Sequence, residues 1–457
     1  MAWESSTDIF GRLDWLTKKV KNLLGRVYSL ENTGAGGESN SYTCYLEITT
    51  IGGGFPFDTV EEYNNNFSWD TPFTSLVSVG NGIQRLYGGN GVTLGDAFNS
   101  NTNITSINDG CGVVTGIESN TFASCYNLTF VNLPALTSLP TSAFDECSSL
   151  TIISLPGVIS IGNNPFANCT SLVSASFANA ITMASGGFEG CTSLTSVSLP
   201  KLEELGSNAF VNTALTSISL PSLTYMDESP FFNVTTLVSA SLPKVTSISL
   251  EAFLGCTNLT SVSAPKATTI ATDAFANCTG LTTLVFPKLE TIQASAFANC
   301  TNLTTLTAPL LTNIGSNSFD SCTSFTTADF PLVTYVDSYA FPTCTALATV
   351  NLPSVNHVGQ NAFQSCSVLS SINLPLATYI GNSAFANCAA LTTINFPAVT
   401  DLGGTPGFDF VFNGIINNTI TLTVPIAMET IDGGDPDGDI MDLLSVNNNN
   451  TVTINYV

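Results

Sequence analysis

The 457-residue sequence predicts a mainly β fold: a long repeat solenoid with a short N-terminal coiled-coil helix and small β caps at both ends. Three observations carry this expectation. A phenylalanine recurs with a 22-residue period through most of the chain. Hydrophobic residues make up 44% and charged residues only 10%, yet no apolar run approaches the roughly 20 residues of a spanning helix. That apolar content therefore calls for a regular buried core. The first 31 residues stand apart, because they hold five of the ten basic residues and an apolar seam of different spacing.

Residues 1–33 are expected to be an oligomerisation stalk. Ile9, Leu13, Leu16, Val20, Leu23, Val27 and Leu30 follow 4-3 spacing, which places Leu13, Val20 and Val27 at a and the others at d of a heptad. About three heptads form a marginal helix alone, so the seam needs partners. Val at a with Leu at d leans towards two strands. Arg26-Val27-Tyr28-Ser29-Leu30-Glu31, however, resembles the R-h-x-x-h-E motif of short trimeric coiled coils. That resemblance implies that Arg26 pairs with Glu31 of a neighbour, and a homotrimer is expected with a dimer as its rival. Gly34-Ala35-Gly36-Gly37 is a flexible break.

Residues 38–110 lack the period and are expected to form a small β cap. Two stretches, SNSYTCYLEITT and TSLVSVGNGIQRLYGG, have strand composition, with GNGI as a hairpin connection. Phe55, Phe57, Tyr63, Phe67, Trp69 and Phe73 are expected to form its core rather than a contact surface.

The repeat fills residues 111–402. Phe122, Phe144, Phe166, Phe188, Phe210, Phe231, Phe253, Phe275, Phe297, Phe319, Phe341, Phe363 and Phe385 are 22 apart, except for one step of 21 after Phe210. Each unit reads A-F-x-N-C-T-x-L-T-x-h-x-L-P-x-h-T-x-I-G-x-x, where h is apolar. One unit cannot bury its own apolar side, whereas stacked units share a continuous core. The proline, replaced once by Ala178, ends an extended segment where no ladder donor is needed. Eleven of 13 cysteines share one column; Thr213 and Val234 take its other two places. Those substitutes cannot bind metal, cycle redox state or form disulfides, so the column is expected to be small apolar filler. Cys44 and Cys111 stand outside it, and nothing requires them to pair.

With L-x-x-h-x-L followed by proline, as in Leu194, Val197, Leu199 and Pro200, the unit resembles the BspA-like class of leucine-rich repeats. The resemblance covers residues 111–402 and implies a solenoid used for display and adhesion.

Residues 403–457 are expected to form a C-terminal β cap, with NTITLTVP and NTVTINYV as strands and DIMDLLS as a short helix. Asp435, Asp437 and Asp439 resemble the start of a calcium loop but lack its glycine at position six and its distal glutamate. The simpler reading is an acidic turn before a helix, so no metal or other cofactor is expected.

Net charge is −24; outside the first 31 residues 5 basic face 30 acidic residues, or −25. Such a surface excludes nucleic acid and disfavours anionic membranes. No G-x-S-x-G, Walker loop or H-E-x-x-H occurs, the single His357 lies in a variable position, and Glu203, Glu204 and Asp227 are scattered. Catalysis is not expected. The outward columns flanking the central apolar residue are more informative. One is almost wholly Ser and Thr. The other shifts from Ser to Asn and Asp in later units, so the candidate ligand face comprises Thr327, Asp329, Thr349, Asn351, Ser371, Asn373, Thr393 and Asn395.

The start MAWESSTDIF lacks the basic and apolar regions of a signal peptide. A trimeric stalk, a flexible break and a β-rich body are also how viral fibres are built. The expected function is therefore a virion appendage, a phage tail fibre or spike. It would be anchored by other virion proteins at its N-terminus and would recognise a host-surface glycan or protein. The alternatives are a bacterial or protist cell-surface adhesin and an intracellular scaffold.

Overall fold

A computed structural model describes residues 45–51, 55–70, 72–73, 75–80, 82–403, 411–412, 414–415, 419–425 and 451–457. The seam of residues 9–31, the 34–37 break, Cys44, the DIMDLLS segment and Asp435, Asp437 and Asp439 lie outside these residues.

The described part begins with an antiparallel sheet. Strands β1 (Tyr45–Thr50), β2 (Ser75–Gly80) and β3 (Ile83–Tyr87) pair in the order β2-β3-β1. The expected hairpin joins β2 to β3 through Gly82, whose φ of +74° explains glycine there. On the face opposite its buried side chains, half-buried Glu47 and Arg85 meet across β1 and β3 at 2.8 Å, and the guanidinium lies 4.6 Å from the Tyr45 ring centroid. Strand composition does not announce the helix in this region, α1 (Val60–Asn66). Its signal lies in the capping box of Thr59 and Glu62, each bonding the other's backbone N–H. Tyr63, Phe67 and Phe73 are buried as expected, and Phe55 and Phe57 pack against the core. Trp69 is the exception, 43% exposed with its Nε1 donating to the Asn64 carbonyl.

Parallel pairing enters with β4 (Val92–Leu94), which lies beside the strand Val114–Ile117. The change from antiparallel sheet to parallel stack is completed at β5 (Ile104–Asp109). It pairs antiparallel with β1 on one side and parallel with the strand Phe130–Asn132 on the other. The phenylalanine column therefore extends past its 22-residue period: Phe98 stacks on Phe122 at 5.3 Å despite a spacing of 24, and Phe412 lies 5.9 Å from Phe385. Buried Asp109 secures the transition by accepting the backbone N–H groups of Cys111, Val113 and Val114 at 3.3, 3.0 and 2.8 Å.

Each coil then contributes two short strands. A three-residue strand, such as Ser196–Ser198, carries the L-x-x-h-x-L centre, and a two-residue strand, such as Glu204–Leu205, follows the proline. Equivalent residues pair in parallel register from coil to coil, as in Ser174↔Ser196 and Thr182↔Glu204. The 21-residue coil keeps this register through Glu204↔Tyr225, and Phe210 remains stacked on Phe231 at 5.4 Å and 2°. In the last coils Thr393–Asn395 pairs with Thr419–Val424, which pairs with Thr451–Tyr456, so both expected C-terminal strands are present.

Between the strands the chain turns through left-handed backbone at two columns, two residues before and two after each ladder phenylalanine. Asn, Ser and Gly predominate there, for example Asn164, Asn168, Gly186 and Gly190. The core runs without a gap along the stack: the phenylalanine, cysteine and leucine columns are buried in every coil.

Candidate functional site

The first ladder presents the expected polar face. The central residue of each three-residue strand points inward, and its two neighbours point out because side chains alternate along a strand. Asp329, Thr349, Asn351, Ser371, Asn373 and Thr393 are exposed, while Thr327 and Asn395 are half-buried. The strands lie in register as two pairs, Thr327–Asp329 with Thr349–Asn351, and Ser371–Asn373 with Thr393–Asn395. Within each pair the side chains link: the Asn351 amide Nδ2 donates to the Asp329 carboxylate Oδ1 and the Asn395 amide Nδ2 donates to the Asn373 amide Oδ1, both at 2.6 Å. This fixes the side chains and leaves further donors and acceptors facing solvent.

Two classes of hydroxyl are now distinguishable. The threonine that precedes a ladder strand in many coils is structural. Thr304 Oγ1 donates to the Thr282 carbonyl at 2.8 Å, Thr312 to Glu290 at 3.0 Å and Thr392 to Ser370 at 3.2 Å, each tying one coil to the last. The outward hydroxyls, Thr305, Thr327, Thr349, Ser371 and Thr393 among them, make no hydrogen bond among the described residues. One set of Ser/Thr residues therefore holds the coils together, and the other faces outward.

All eleven column cysteines are buried thiols. Each Sγ donates to a phenylalanine carbonyl of the preceding coil at 3.0–3.3 Å. Burial pushes the thiols of Cys125, Cys256 and Cys300 up to about 12, so they stay protonated and unreactive. Thr213, which replaces cysteine in the short coil, instead donates to Phe210 of its own coil at 2.8 Å. No cluster of metal-ligating residues occurs among the described residues. No described helix is long and apolar enough to cross a membrane.

The second ladder holds a feature that reading His357 as an isolated residue overlooks. Tyr335, His357 and Tyr379 occupy one outward column in register. Their rings stack with centroids 4.5 Å apart and planes within 9°. Burial between the tyrosines lowers the His357 pKa, with Asp337 acting in the opposite sense. A comparison of the position from unit to unit, rather than a search for histidine motifs, would have found it. Glu204 opens the strand Glu204–Leu205, Glu203 immediately precedes it, and Asp227 follows the strand Tyr225–Met226 of the next coil.

The comparisons with known proteins agree with this architecture. The family model of the BspA type leucine rich repeat region matches residues 115–238, 160–282 and 290–406. No curated protein matches the chain. Among solved structures, a leucine-rich repeat protein from Bacteroides ovatus is 24% identical with a TM-score of 0.52, over 70% of this chain and 88% of that one. A leucine rich cell surface protein from Faecalibacterium prausnitzii is 22% identical (TM-score 0.36; 70% and 86% covered). A T. pallidum leucine rich repeat protein is 26% identical (TM-score 0.32; 34% and 78% covered). With its period, its two ladders and a family match over more than half its length, the chain belongs to the BspA-type leucine-rich repeat family.

Proposed function

We propose that the solenoid is a displayed binding surface that adheres to an external glycan or protein through its first-ladder face. The observation that carries this reading is the pair of outward columns, whose hydroxyls from Thr327 to Thr393 make no hydrogen bond among the described residues and whose linked Asn and Asp side chains leave further donors and acceptors to solvent. A regularly spaced and nearly uncharged array suits many weak hydrogen bonds to a polyhydroxylated or peptidic surface. The richest part spans Thr327 to Asn395, where an Asn–Asp pair and an Asn–Asn pair stand beside hydroxyls that make no hydrogen bond among the described residues. Repeat folds of this kind serve as binding scaffolds, and no catalytic role is assigned.

Two modes of display follow. The seam and the R-h-x-x-h-E motif of residues 9–31 favour a trimeric virion appendage, a tail fibre or spike. Family membership favours a cell-surface adhesin. Both place the same face outward, so the face can be tested apart from its carrier. Fluorescently labelled full-length protein is applied to an array of bacterial and animal surface glycans and to intact bacteria. Replacing Asp329, Asn351, Asn373 and Asn395 together by alanine should reduce any binding about 10-fold or more without lowering the melting temperature. Unchanged binding by that variant would remove the face from the proposal.

A further inference from the structure

We infer that the turn column Lys201, Lys244, Lys266 and Lys288 is a binding site for a linear acidic glycan. The inference stands independently of the strand-face reading, because it concerns another column and another ligand class. Residues 111–402 contain four basic residues, and all four occupy the same one of the 22 repeat positions, directly after the ladder proline. The 15 acidic residues of that stretch lie in other columns, and none falls in this one.

All four lysines are exposed on the turn between the two ladders. Lys244, Lys266 and Lys288 stand on three consecutive coils, and Ser222 of the short coil separates them from Lys201. None forms a salt bridge among the described residues, although Glu203 and Glu290 follow two residues after Lys201 and Lys288. Lys201 Nζ donates at 2.8 Å to Asn179 Oδ1, the preceding member of its own column. Like charges held side by side at one-coil spacing oppose folding. Residues 188–296, which carry the row, also hold eight acidic residues in other columns, so an external anion that stabilises the row must do so by direct contact along this one column.

The spacing selects the ligand. Coils rise by roughly 4.8 Å, so Lys244, Lys266 and Lys288 present charges at that interval, and Lys201, two coils before Lys244, extends the row to about 20 Å. A linear polyuronate carries one carboxylate on every sugar, and its sugars advance by a distance close to the coil rise; with carboxylates on alternate flanks, each lysine on its long flexible stem can reach one. Acidic side chains on one face of an extended peptide recur about every 6.7 Å and drift out of step. Duplex nucleic acid would bring its phosphates against the acidic remainder of the surface. The row is bounded: the column carries Gly157 and Asn179 on its N-terminal side and exposed Leu310 and Leu332 on the other.

The test uses the full chain and fluorescently labelled oligogalacturonate about five residues long, matched to the row by the coil rise, at low ionic strength. Fluorescence polarisation should show saturable binding that weakens as salt is added, and no binding of the methyl-esterified oligomer. Lys201→Gln, Lys244→Gln, Lys266→Gln and Lys288→Gln combined should weaken it by roughly 10-fold or more with an unchanged melting temperature. Lys266→Glu alone should weaken it more than Lys266→Gln, which keeps the result interpretable should the quadruple variant misfold. Failure of the parent protein to bind overturns the inference, as does full binding by the lysine variants. Equal or tighter binding of oligoglutamate or oligothymidylate overturns it in favour of an acidic peptide or a nucleic acid.

Discussion

The position just before each ladder phenylalanine is alanine in most coils, including Ala252, Ala274, Ala296, Ala340, Ala362 and Ala384, but serine at 318. Ser318 is fully buried and its Oγ has no hydrogen-bond partner among the described residues. Thr121, at the equivalent place in the Phe122 coil, shows how a hydroxyl is accommodated there, by donating to the carbonyls of Glu118 at 2.7 Å and Leu94 at 3.2 Å. An unpaired buried hydroxyl costs about 1–3 kcal/mol, while alanine fills the same site without that loss. Ser318→Ala should therefore raise stability by about 1 kcal/mol, read as a higher urea midpoint with an unchanged slope. A lower midpoint would show that the Ser318 hydroxyl is satisfied in solution, for instance by a buried water. The neighbouring coil tolerates backbone strain: Tyr339 and Thr343 both sit in left-handed backbone, at φ 57° and 56°, where most coils use asparagine, serine or glycine.

At the scale of the element, the cysteine column links core packing to pH. Burial holds Cys125, Cys256 and Cys300 near 12 in the folded chain, against an ordinary 9.0. Cys147, Cys278 and Cys322 are raised too, and for each burial is again the main cause. Between these limits the unfolded chain has released protons that the folded chain still binds. Stability is thus fully present below about pH 9 and falls as pH rises towards 12, by up to about 1.4 kcal/mol per pH unit for each such thiol. Thermal melts under reducing conditions should be flat from neutral pH to about 8 and fall steeply above 9. Cys300→Val, which copies the natural Val234 of the same column, should make the fall shallower. A profile unaffected by that substitution would assign alkaline unfolding to other groups.

These columns were legible because identical coils repeat identical demands: Phe, Cys, Leu and Pro recur wherever the same buried shape recurs. What the period hid lies where the demand changes. Phe98 and Phe412 keep their stacking partners through insertions that break the 22-residue count. Helix α1 escapes a reading by strand composition, because its signal is the local pairing of Thr59 with Glu62 rather than an apolar period. The candidate face was visible from alternation alone, but alternation could not separate coil-tying hydroxyls from outward ones, since both are Ser or Thr in adjacent positions.

At the scale of the whole molecule, charge decides where chains can associate. Residues 32–457 carry −25, so copies of this part repel one another, and screening over about 8 Å at physiological salt only softens that repulsion. Residues 1–31 carry +1 and contain the apolar 4-3 seam from Ile9 to Leu30. Favourable association is thus concentrated in a segment of about three heptads, which needs partners to be helical at all. Light-scattering mass should give a trimer for the full-length chain and a monomer for a version lacking residues 1–37, with the circular dichroism of the β body unchanged. A full-length monomer would remove the fibre-like reading and leave the adhesin and scaffold readings. A trimer that survives truncation would mean that the acidic bodies overcome their repulsion by direct packing. The first-ladder face and the lysine row would then be the surfaces to test for burial, because a lysine row against a neighbour's carboxylates is the charge pairing these bodies could offer each other.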